Sequence, residues 1–116
     1  MKTSEADIQK AILQYLKLMP EEQLVAFRIN VQGIPIHSNG RTRFRPAPTT
    51  GIADILCVYR GLFVGLEVKS KTGRQTDNQK QFQKEVEGAG GFYFLVRSVE
   101  DVQEAFNVID ERGSRN

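Results

Sequence analysis

At 116 residues the chain suits one domain spanning 1–116, and its 40% hydrophobic content is that of a globular core rather than a disordered segment. A formal net charge of +2 is too small to argue for nucleic acid by itself, so any such argument rests on where the charges lie. No run is apolar enough for a bilayer, the polar start reads as no signal peptide, and the single Cys57 excludes an internal disulfide and fits a cytoplasmic setting.

Ser4 followed by Asp7 resembles a capping box, and Ile8, Ala11, Ile12, Tyr15, Leu16 and Met19 recur at helical spacing up to Pro20. By phase, Glu5 falls at the N-terminal end of that buried stripe. It either looks toward the sheet or serves the helix dipole. Leu24 to Val31 alternates as a strand. Gly33 to Gly51 holds Pro35, Pro46, Pro48 and a basic run, and reads as a long substrate-contacting loop or irregular hairpin. Arg41, Arg43 and Arg45 alternate with Thr42 and Phe44, so an extended backbone sets all three along one side, spaced to follow phosphates. Solvated surface charge is the competing reading. His37 reads as an ordinary surface residue.

The next two runs, from Ala53 to Tyr59 and from Leu62 to Lys69, are apolar strands joined by Arg60-Gly61. Each contains acid, which is costly in such a setting unless paired. If Arg60-Gly61 is a two-residue turn, Tyr59 faces Leu62 and Asp54 falls opposite Glu67, with Cβ atoms roughly 4.5–5.5 Å apart. Arg is a poor residue for positive φ, and a longer turn would separate the acids onto opposite faces. Lys69, two residues beyond Glu67, shares its face.

Lys71 and Arg74 lie in a basic link. Thr76 or Asp77 then caps a helix closed by Gly88, with Gln79 in its first turn and Phe82 and Val86 as apolar contacts. Phe92 to Val96 reads as a buried strand. Ser98 with Asp101 opens a last helix whose stripe is Val99, Val102, Ala105, Phe106 and Ile109. Residues 111–116 read as a frayed tail. The expected architecture is an α/β fold in α-β-β-β-α-β-α order, a small mixed sheet with helices on both faces. The connection from the Glu67 strand to Phe92 is expected to be a parallel crossover.

Two facing carboxylates repel unless a divalent cation sits between them, and oxygen ligands suit Mg²⁺ or Mn²⁺. Such an ion activates water and neutralises phosphate charge, and a neighbouring lysine stabilises the transition state. A plain Glu67–Lys69 ion pair, with Asp54 capping a turn, is the competing reading.

The ordered set Glu5, Gly51 with Asp54, Glu67 with Lys69, and Gln79 resembles the VRR-Nuc family of the PD-(D/E)xK, restriction-endonuclease-like nucleases. The resemblance covers Glu5 to about Val96, with Ala53 where the superfamily name has proline. It implies metal-dependent cleavage of DNA, with Asp54, Glu67, Lys69, Glu5 and Gln79 as catalytic residues. It also implies Asp54, Glu67, the Val68 backbone carbonyl and, through water, Glu5 around the metal. Small stand-alone members resemble Holliday-junction resolvases, which implies branched DNA and a homodimer. A non-catalytic DNA-binding or assembly module, or an RNA-processing nuclease, are the alternatives. Arg41, Arg43, Arg45, Lys71 and Arg74 are the expected DNA contacts.

Overall fold

The computed structural model describes residues 3–29, 34–38, 40–45 and 51–113. The Ser4 hydroxyl accepts from the Asp7 N–H at 3.1 Å and caps helix α1 (Glu5–Leu16). Strands β1 (Leu24–Arg28), β2 (Ile34–Ser38), β3 (Arg41–Arg45), β4 (Ile55–Tyr59) and β5 (Leu62–Val68) follow, then α2 (Asp77–Gly88), β6 (Phe92–Val96) and α3 (Val99–Gly113). The main sheet has the order β1-β4-β5-β6. Its first two pairings are antiparallel and the β5–β6 pairing is parallel, so the expected mixed sheet and crossover are both present.

The segment expected as a loop or irregular hairpin contains a regular two-stranded ribbon, β2–β3, in which Ser38 pairs with Arg41, Ile36 with Arg43 and Ile34 with Arg45. Gly40 lies at φ +72 in its turn, a conformation glycine adopts without steric cost. Residues 46–50, within the expected substrate loop, lie outside the described residues.

Strand alternation divides the main sheet into two unlike faces. Ile55, Cys57, Tyr59, Val64, Leu66, Val68 and Val96 point to one side, where α1 and α3 cover them with Ile8, Ile12, Leu16, Val102, Phe106 and Ile109. Each large aliphatic side chain fully buried there stabilises the fold by about 1.5–3 kcal/mol. The Cys57 thiol belongs to this core, and burial pushes its pKa up to about 12. The other side carries Asp54, Gly65, Glu67 and Tyr93, and among the described residues α2 packs on it, through Phe82 against Tyr93.

The β4–β5 turn has the short form. Tyr59 pairs with Leu62, and Arg60 and Gly61 lie at φ +50 and +84. Positive φ costs a non-glycine residue about 1–2 kcal/mol. Here the Arg60 N–H donates to the Gln23 carbonyl at 2.9 Å, and its guanidinium lies over the Tyr59 ring and 3.8 Å from Asp110 Oδ1.

Three expectations change. The stripe on α1 is narrower than its periodicity suggested. Ile8, Ile12 and Leu16 are buried but Ala11 and Glu5 are exposed, and Glu5 in the first turn lies beside Gly73 of the 70–73 loop. Strand β6 lies at the sheet edge, so of its five residues only Tyr93 and Val96 are buried. Residues 111–113 belong to α3 rather than to a frayed tail, and the Arg112 guanidinium 5.7 Å from the centre of the Phe92 ring holds that last turn against β6.

Candidate metal centre

One step beyond the last β4–β5 ladder pair, Ile55 with Leu66, Asp54 falls opposite Glu67, as the turn arithmetic requires. The Asp54 carboxylate ends the ladder by substituting for backbone: its Oδ2 accepts from the Val68 N–H at 2.9 Å. On the other flank, the Asp54 carbonyl accepts from the Ile29 N–H at 2.8 Å, which ties the residue to the end of β1.

Glu67 is the single buried charged residue among those described, with 1% of its surface exposed. Its carboxyl pKa is pushed up to about 9. Burial is the largest cause, followed by the hydrogen bond to Asp54 and that residue's negative charge; the Lys69 ammonium and the Tyr93 hydroxyl pull the other way. Without a cation, burial and the neighbouring Asp54 thus favour the protonated form of Glu67. The Lys69 N–H donates to the Val96 carbonyl at 3.1 Å. Because the peptide is trans, the Val68 carbonyl points the opposite way, toward the side where Asp54 lies.

The Asp54 strand end is set by contact with α2. Gly51 lies at φ +78, and a Cβ placed there would come within 2.3 Å of the Asn78 carbonyl oxygen and 2.8 Å of the Gln79 nitrogen. Only glycine lets this backbone approach the first turn of α2 so closely. Gln79 itself is committed to that turn. Its Oε1 accepts from the Thr76 N–H at 2.8 Å, and its N–H donates to Thr76 Oγ1 at 3.2 Å, a complete capping box.

Glu5 arrives from the opposite direction. Its Oε2 lies beside Gly73, where an added Cβ would also approach Ser70 Oγ and Lys69 Cβ. Arg97 holds this loop in place, its Nη1 donating to the carbonyls of Ser70 and, at 2.8 Å, Gly73. Among the described residues no three acid, histidine or cysteine side chains converge as ligands. The oxygens that could face one ion are thus the two carboxylates and the Val68 carbonyl, while Glu5 lies against the 70–73 loop. One or two carboxylates with the remaining positions left to water and phosphate is what Mg²⁺ accepts, so the residues fit a hard divalent ion.

Lys71 and Arg74 are exposed. Lys71 lines a cavity of about 920 Å³ with Thr3, Ser70, Thr72 and Ser98, which adjoins the Lys69 strand end without including either acid. Arg41, Arg43 and Arg45 occupy alternate positions of β3; their side chains, and that of His37, lie outside the described residues.

Tyr93 was not anticipated. It lies beside Gly65 in the β5–β6 register, and its hydroxyl donates to Glu67 Oε1 at 3.4 Å. Burial is the main cause that raises its own pKa, while the Gln75 amide beside it acts in the opposite sense. The sequence signal was Gly65, a residue without a side chain in mid-strand, which marks a place where something else must approach. No family model, no curated protein and no solved structure matches the chain.

Proposed function

We propose that the chain is a divalent-metal-dependent endonuclease that hydrolyses phosphodiester bonds of DNA. The observation that carries this reading is a buried carboxyl, Glu67, set against a second acid, Asp54, with a lysine at the same strand end. A structural ion pair with Lys69 has no need for a second acid beside the first, and burying both costs stability. Mg²⁺ or Mn²⁺ bound there supplies a Lewis acid for the phosphate and lowers the pKa of water. Asp54 and Glu67 hold one face of the site, the Val68 carbonyl contributes an oxygen, and Glu5 orders water at the rim. Lys69 orients the attacking water and stabilises charge on the phosphate. Gln79 serves through the turn it fixes beside Gly51. The ordered residues also resemble the VRR-Nuc set, which supports the same chemistry.

Arg41, Arg43 and Arg45 on the β2–β3 ribbon, with Lys71 and Arg74, are the proposed phosphate contacts. A DNA substrate implies an intracellular setting, the cytoplasm or a nucleoid. No helix among the described residues is long and apolar enough to cross a membrane. Symmetric cutting of a branched substrate requires two such sites, so the proposal includes a homodimer. The exposed Val25, Phe27, Val58 and Phe63, on the same face of the sheet as the acids, offer an apolar surface for it.

The test is a cleavage panel of four-way junction, flap, duplex and single-stranded DNA, with matched RNA, each in Mg²⁺, Mn²⁺ or EDTA. Metal-dependent DNA cleavage lost in Asp54→Asn supports the reading. Cleavage of RNA alone reassigns the substrate, and binding without cleavage in any metal indicates a non-catalytic module.

A further inference from the structure

Gly65 leaves a gap in the site face of β5, and Tyr93 from β6 fills it. A Cβ at Gly65 would lie 3.3 Å from Ala53 Cβ, 3.5 Å from Tyr93 Cδ2 and 3.8 Å from Phe82 Cε2. The Phe82 ring meets Tyr93 edge-on, with centroids 6.1 Å apart. The phenol is thereby fixed with 4% of its surface exposed, and its hydroxyl reaches Glu67 Oε1, two residues along β5, at 3.4 Å. Beyond it, Gln75 Nε2 donates to Gln83 Oε1 at 2.8 Å, so the amide beside the hydroxyl is itself anchored on α2. A phenylalanine would pack over Gly65 equally well. The hydroxyl is the part that packing does not explain.

We propose that Tyr93 is a positioning residue for the metal-binding carboxylate. It holds Oε1 of Glu67, leaves Oε2 to face Asp54 and the cation, and is braced from α2 by Gln75 and Gln83. This inference rests on the metal-nuclease reading. The physical basis is that a carboxylate ligand with one oxygen fixed by a donor loses less rotamer freedom when it binds metal, and groups that orient a ligand in this way typically affect metal affinity about 10–100-fold. The 3.4 Å contact is long for O–H···O in the metal-free chain. Helix α2 then contributes twice to one centre: through the Gly51 contact that places Asp54, and through the Gln83–Gln75–Tyr93 chain that orients Glu67.

The experiment is a Mn²⁺ titration followed by the electron paramagnetic resonance signal of the free ion, at pH 7.5, on the wild-type chain, Tyr93→Phe, Gln75→Leu and Asp54→Asn. Thermal melting without metal is measured in parallel. The expected result is a loss of Mn²⁺ affinity of about tenfold in Tyr93→Phe and a smaller loss in Gln75→Leu, with little change in metal-free melting temperature. In cleavage, the half-saturating Mg²⁺ concentration of Tyr93→Phe rises more than the maximal rate falls. Wild-type affinity in Tyr93→Phe, with binding lost in Asp54→Asn, overturns the role of Tyr93 and leaves the nuclease reading standing. A wild-type chain that binds no Mn²⁺, or binding retained in Asp54→Asn, overturns both. Gln75→Leu keeps the inference testable should Tyr93→Phe fold poorly, since Gln75 lies outside the packed ring cluster; wild-type affinity in that variant then counts against it.

Discussion

The two faces of the β1-β4-β5-β6 sheet are built on opposite principles. Toward α1 and α3, every strand contributes aliphatic or aromatic side chains, and Ile12, Ile55, Val64, Leu66 and Val102 are fully buried. Toward α2, the same strands contribute Asp54, Glu67, a glycine and a tyrosine, and Val25, Phe27, Val58 and Phe63 stay exposed. One face concentrates the favourable burial that keeps the chain folded. The other sets two acids side by side where burial opposes their charge, which is the pattern expected where function opposes stability.

The comparison breaks most sharply by activity. Asp54→Asn, Glu67→Gln and Lys69→Ala should each reduce DNA cleavage by at least about 100-fold while circular dichroism and melting show an intact fold. Glu5→Gln should reduce it less, since that carboxylate stands at the rim. Full activity in any of the first three removes that residue from the site. On the opposite face, Leu66→Ala should destabilise the fold by about 2–5 kcal/mol by leaving a cavity in the core, read as a lowered urea midpoint. A neutral result there would mean that the α1/α3 face is not the stabilising one.

Glu67 also offers a gain of stability. Its folded-state pKa, about 9, lies above its ordinary 4.5, so the folded chain holds this proton more tightly than the unfolded chain does. The resulting stabilisation is fully present below about pH 4.5 and is lost as pH rises through about 9. Metal-free Glu67→Gln should therefore lose this contribution to the fall in melting temperature between pH 5 and pH 9. At pH 8 it should melt about 5 °C or more above wild type. A melting temperature unchanged or lowered at pH 8 would contradict the raised pKa of Glu67. Added Mn²⁺ should stabilise wild type and not the variant, because the cation replaces the proton. The smallest effect concerns the ribbon. Replacing Arg41, Arg43 and Arg45 together by alanine should reduce the log–log salt slope of DNA binding by about one per lost phosphate contact. An unchanged slope would place the β2–β3 ribbon away from DNA.

How much of this was legible in the sequence follows from what each element depends on. The order of helices and strands could be read because hydrophobic periodicity is local, and the Asp54–Glu67 register because a two-residue turn fixes it by counting. The β2–β3 ribbon was read as a loop or irregular hairpin on the strength of its prolines, although Asn39-Gly40 between extended runs is a hairpin signal. The exposure of Glu5 and the edge position of β6 depend on where the sheet ends, which no local pattern reports. Gln79 was expected in the site through the resemblance alone, and Thr76 three residues earlier offered the capping box that its side chain completes. Tyr93 and Arg97 were hidden for a different reason. Each reaches the site across strands or loops distant in sequence, and only Gly65 hinted that β5 leaves room for one of them.

The central claim is that Asp54 and Glu67 hold one divalent cation between them. Crystals of the wild-type chain soaked in Mn²⁺ at pH 8, with anomalous data collected at the manganese edge, test it most directly. The expected result is an anomalous peak about 2 Å from a carboxylate oxygen of each acid, absent from crystals of Asp54→Asn treated identically. A fully soaked crystal with no peak between the two acids, or with the peak unchanged in Asp54→Asn, would contradict the account.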